Sequence, residues 1–82
     1  MEINVDLLKR ICEAPGIPGR EEQVREVVVR ELEPLVDEIR VDALGNVIAT
    51  KKGRGGPRVM LAAHMDEIGF MVRHIDDKGF IR

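Results

Sequence analysis

Val59 to Ala63 is an unbroken run of five apolar residues, and it leads directly into His64, Asp66 and Glu67. A short continuous apolar run predicts a strand buried on both faces, in contrast to the alternating pattern of a strand with one wet face. We therefore expect a central strand over 58–63. Such a strand needs a layer on each side. The rest of the chain must be judged by whether it supplies that cover.

The cover on offer is thin. Asn4 is a favourable N-cap for a first helix over about 5–14, with Leu7, Leu8, Ile11 and Cys12 on one face. Pro15 and Gly16 stop it, and PGIPGR (15–20) is a turn-rich connector. A second helix is predicted from about Glu21 to Val36, with Val24, Val27, Val28, Leu32 and Leu35 at helical spacing. Glu21–Arg25 and Glu26–Arg30 have the favourable order for charge pairs one turn apart, and Pro34 is placed to tighten or kink the end.

The period then changes to two. EIRVDA alternates, LGN (44–46) signals a turn with Gly45 free to take positive φ, and NVIATKK returns, so the pair predicts a hairpin. After the 58–63 strand, a further strand is expected from Ile68 to Ile75, with a tight turn at DDKG (76–79) and the start of a return strand at FIR. The fold class is α/β. Two helices and a hairpin do not cover a strand on both faces, which leads to the expectation of an incomplete piece of a longer α/β domain.

Composition narrows the function. The 82 residues carry 13 basic and 15 acidic groups, a net charge of −2, so no global field draws nucleic acid or membrane. With two Phe and no Trp or Tyr, the stacking platforms of single-strand binders are missing. The basic stretch KKGRGGPR (51–58) reads as a solvated loop. Cys12 is the one cysteine; its helical setting predicts a buried structural thiol, and a single thiol suits a reducing, cytoplasmic compartment. There is no serine, so serine-hydrolase chemistry is excluded within this segment.

The chemistry-bearing residues gather after the apolar run. In open α/β sheets, ligands collect beyond the carboxyl ends of strands. An imidazole at such an end is a candidate zinc or cobalt ligand, and a carboxylate two residues on projects to the same side in extended backbone. His64-x-Asp66 thus has the logic of a metal ligand with an orienting carboxylate. A strand-terminal histidine with an ordinary hydrogen bond is the competing reading for His64. Glu67 reads as a surface or bridging carboxylate, His74 as an exposed strand histidine, and Gly69 as a residue that lets backbone pass close to the site.

PGIPGREEQV, VDALGNVIATKKG and PRVMLAAHMDEIGFMV, in that order, resemble the N-terminal portion of the tetrahedral aminopeptidases of the glutamyl-aminopeptidase and cellulase-M-like family of dinuclear metallopeptidases. The resemblance covers essentially the whole chain, and AAHMDEIGFMV is its most specific block. It implies a zinc-peptidase-like α/β catalytic domain, here residues 1–67, and a small β dimerisation domain inserted after it, begun here by 68–82. It implies a pair of zinc or cobalt ions, with His64 as a metal ligand and Asp66 as the catalytic aspartate that orients it. It implies peptide substrates, from which N-terminal residues are removed by metal-activated water, and homo-oligomers in which dimers build a hollow tetrahedral dodecamer.

The bridging aspartate, the general-base glutamate and the remaining ligands of that family lie later in the chain and have no counterpart in these residues. The segment alone is therefore expected to be inactive. Two other expectations stand beside this one. The chain is a truncated product or a non-enzymatic docking partner using an unfinished sheet. Or it shares the endoglucanase label given to some relatives, although HMDE offers no pair of carboxylates placed to flank a glycosidic bond.

Overall fold

The computed structural model describes residues 2–82. Helix α1 spans Val5–Glu13. The Asn4 side chain accepts the Leu7 backbone N–H at 3.0 Å and satisfies one of the donors left free at a helix start. The helix ends at Ala14, which takes an extended conformation (φ −68°, ψ 132°) as expected of a residue before proline.

Helix α2 spans Glu22–Leu32, and a single 3-10 turn follows over Glu33–Leu35. The expected helix to Val36 is therefore shortened. Pro34 lacks an amide hydrogen and its ring crowds the carbonyl four residues back, so the helical ladder cannot pass through it. Arg10 joins the two helices: it donates to Asp6 one turn back at 3.1 Å and to Glu31 of α2 at 2.7 Å.

Strands β1 (Glu38–Val41) and β2 (Val47–Thr50) form an antiparallel hairpin in the register Ile39 to Ala49 and Val41 to Val47. Its turn is built by Asp42. That carboxylate accepts the backbone N–H of Leu44 at 3.0 Å and of Asn46 at 2.9 Å, and the Asn46 side-chain amide at 2.9 Å. Gly45 closes the turn at φ +87°. The same device recurs at the second expected turn: Asp76 accepts the N–H of Lys78 and Phe80, and Gly79 sits at φ +84°. There the chain crosses back to form a bridge between Ile75 and Ile81. In both places the glycine N–H donates to the aspartate carbonyl at 3.0 Å, and the left-handed glycine turns the chain back.

The central strand is where the structure departs from expectation. Residues 58–63 pair with no strand among the described residues, and Leu61 is 94% exposed. The strand expected over Ile68–Ile75 is reduced to the Ile75–Ile81 bridge, and Phe70 is 97% exposed. The physical reason is the missing cover: an apolar run has no strand conformation to gain until partners supply hydrogen bonds and faces to bury.

The same shortage appears globally. The radius of gyration is 17.3 Å, against about 12 Å for a compact domain of this length. The accessible surface is 7824 Å², against roughly 4,900 Å² for a folded monomer of this mass. Among the described residues, Val24 alone is a buried apolar side chain, at 2% exposure. Cys12, expected to be buried, is exposed, because the apolar face of α1 is only partly covered.

Candidate functional site

The part of the chain that is packed lies around Val24 and holds the end of the apolar run in place. Gly16, in the PGIPG connector, is buried against Val24; a Cβ at Gly16 would lie 2.8 Å from Val24 Cγ1 and 3.5 Å from the Met65 carbonyl oxygen. The Glu67 backbone N–H donates to the Gly16 carbonyl at 2.9 Å. Gly69 lies so close under Ile17 that a Cβ there would overlap the Ile17 side chain. Gly69 therefore permits a close approach, as expected, and the neighbour it admits is Ile17 of the connector.

Next to this contact, His64 and Asp66 meet. His64 Nδ1 lies 2.9 Å from Asp66 Oδ1 and 3.0 Å from the Asp66 carbonyl oxygen. Both partners are acceptors, so Nδ1 carries the proton and donates. In the neutral ring this leaves the lone pair on Nε2. The His64 side chain is 84% exposed, which leaves that nitrogen open to a ligand. The two side chains do reach the same side, although the expected strand is not formed.

An open depression of about 430 Å³ adjoins the pair. Glu21 and Val28 of the α2 region, Leu44–Val47 of the hairpin and Ala63–Asp66 line it. Its walls are tied together by Arg25, whose Nε donates to the Gly45 carbonyl at 3.0 Å and whose guanidinium lies 3.9 Å from the Glu21 carboxylate. Glu21 in turn accepts the Gly19 N–H at 2.6 Å. Glu67 and His74 have exposed side chains. The backbone of His74 pairs with Arg82, and KKGRGGPR is an exposed loop.

A family model described as M42 glutamyl aminopeptidase matches residues 45–82, a span that contains the hairpin glycine, the apolar run and the His64–Asp66 pair. A protein of Acetivibrio thermocellus, provisionally named an aminopeptidase, is 57% identical over 77 residues, 94% of this chain. The chain belongs to the M42 glutamyl aminopeptidase family. Two further relatives agree with that placement. The M42 chain is 49% identical over 80 residues to FrvX of Escherichia coli, also provisionally named an aminopeptidase, and 49% identical over 81 residues to the lysyl aminopeptidase of Pyrococcus furiosus, covering 98% of itself in each case. A second model, described as AMPT, matches residues 2–28. This M42 segment spans less than a quarter of those relatives, which it covers to 22–23%.

Imidazole nitrogen suits zinc and cobalt, and a carboxylate on the far ring nitrogen is the usual orienting partner of a ligating histidine. The donor chemistry at His64 thus fits one ligand position. Among the described residues, no group of three or more His, Cys, Asp or Glu is disposed to hold a metal ion, and a closed or catalytic zinc site takes at least three protein ligands. No described helix is long and apolar enough to cross a membrane.

Two features of the M42 segment escape sequence reasoning. One is the docking of residues 65–69 on the connector through Gly16 and Ile17. The other is the Arg25–Gly45 bond. Both join positions far apart in sequence. Gly69 signals a close approach without naming its partner, and the glycines of PGIPG and DALGN signal turns without naming what packs on them.

Proposed function

We propose that this chain forms part of a metal-dependent aminopeptidase, to which it contributes one metal ligand, His64, and the carboxylate that orients it, Asp66. The observation that carries the reading is the 2.9 Å contact between His64 Nδ1 and Asp66 Oδ1, which aims the Nε2 lone pair away from the carboxylate. Asp66 accepts the Nδ1 proton, holds the ring in one tautomer and raises the basicity of Nε2. The names of the relatives support the peptidase class. The substrates are peptides with a free N-terminus.

The remaining ligands and the general base come from polypeptide outside these residues, as the short share of the relatives' length suggests. Zinc and cobalt both fit the donor, and such a metal pair, when bound, polarises a scissile carbonyl and activates water. Residues 68–82 begin a dimerisation domain. Their exposed Phe70, Phe80 and Ile81 form apolar surface of the kind that assembly covers. The assembly is a homo-oligomer of dimers, a tetrahedral dodecamer, in the cytoplasm.

The test uses the complete native polypeptide that carries this sequence. It should release nitroaniline from aminoacyl-p-nitroanilides, lose that activity to a chelator, and regain it with zinc or cobalt. His64→Ala should reduce the rate by more than the roughly 10- to 100-fold typical of losing an outer partner of a ligand. Full activity in His64→Ala contradicts the reading.

A further inference from the structure

Asp66 orients His64 only if its own backbone is held, and the segment around it belongs to no helix or strand. It is pinned from both sides. On one side Met65 approaches Gly16, and the Glu67 N–H donates to the Gly16 carbonyl at 2.9 Å. On the other, Gly69 seats beneath Ile17. Gly16 is itself fixed because it packs on Val24, the buried apolar side chain. Neither Gly16 nor Gly69 has positive φ among the described glycines, so space, and not backbone conformation, is what each position requires.

We propose that Gly16 and Gly69 are positioning residues: the connector PGIPG is a bracket that clamps residues 65–69 and so sets where Asp66 holds the His64 ring. The inference rests on the proposed ligand role of His64. A methyl group at Gly16 would meet the Met65 carbonyl at ordinary contact distance but would crowd Val24 and so push the connector off its seat, and one at Gly69 would lift the chain off Ile17. Either displacement shifts the segment that carries Asp66, and a misplacement of about 1 Å is enough to lose catalytic geometry.

The experiment places Gly16→Ala, Gly69→Ala and Arg10→Ala in the complete native polypeptide. Arg10→Ala breaks the tie between the helices and serves as the control for a purely structural loss. Three quantities are read: hydrogen-exchange protection of the Glu67 amide, zinc affinity of the metal-free protein by calorimetry, and kcat against KM. Both glycine variants should lose Glu67 protection. Zinc affinity should fall about tenfold or more, and kcat about 10- to 100-fold, with KM nearly unchanged. Arg10→Ala should leave zinc affinity and kcat as they were.

Lost protection with unchanged zinc affinity and kcat in either folded glycine variant overturns the bracket. Retained protection in both overturns it as well. If Gly16→Ala does not fold, Gly69→Ala, which sits on the opposite anchor, decides alone. Should His64→Ala abolish zinc binding while the glycine variants bind normally, only the bracket fails. Should His64→Ala bind zinc normally, the ligand reading fails with it.

Discussion

Arg25 Nε donates to the Gly45 carbonyl at 3.0 Å and so ties helix α2 to the tip of the hairpin. Gly45 is required there by its backbone, and a side chain would also crowd the tip of Arg25. Its φ is +87°, and a Cβ would stand 2.5 Å from Arg25 Nη2. Gly45→Ala should therefore cost about 1–2 kcal/mol for the left-handed backbone and displace the Arg25 side chain. The check is hydrogen exchange at the hairpin amides, which should become about tenfold faster or more. Exchange at the wild-type rate would mean that the turn does not depend on this glycine.

The Asp42 carboxyl is held below the ordinary aspartate value of 3.8, chiefly by the Asn46 side-chain amide and then by the Asn46 backbone N–H. A group depressed in the folded state stabilises it fully above the unfolded value, and that contribution is lost as pH falls through the folded value. The turn should therefore loosen as the pH falls below 3.8 and on through the depressed folded value. Exchange or chemical shift of the Leu44 and Asn46 amides against pH reads this directly. In Asp42→Asn the acid dependence should vanish.

Helix α1 depends on its cap. Asn4 Oδ1 accepts the Leu7 N–H at 3.0 Å, and Asn4→Ala should cost about 1 kcal/mol of helix stability. The amides of the first turn should exchange several times faster, while Asn4→Asp should keep their protection.

Asp66→Ala should weaken zinc binding about 10- to 100-fold, because the ring then loses its acceptor at Nδ1. Asp66→Asn is the sharper variant: its amide still offers an oxygen to Nδ1–H but carries no charge, so its affinity should fall between wild type and alanine. Wild-type affinity in Asp66→Ala would remove the orienting role.

Much of this structure was legible because its signals are local. Asn4, the spacing of Val24, Val27 and Val28, and the turn residues Gly45 and Gly79 each act within a few residues of themselves, and the helices, the hairpin and both turns follow from them. Pro34 showed that α2 must change near its end, though not that it would stop at Leu32. Residues 58–63 depart from their pattern for the opposite reason. A continuous apolar run reports what a segment would become once covered, and neither its ladder partners nor its covering layers are among these residues. Cys12 fails in the same way, since helical spacing names a face and not what lies against it. At the candidate site, the approach of His64 and Asp66 follows from their separation by one residue. The clamp of Gly16 on Glu67 is a tertiary contact, which no local pattern encodes.

The central claim is that His64 binds a metal ion. It is tested most directly by counting zinc per protomer, after equilibration in excess zinc and removal of the unbound ion, in the complete native polypeptide with and without His64→Ala. The account predicts a loss of at least one zinc per protomer in the variant, with folding retained by circular dichroism. An identical zinc count in the two proteins would contradict it.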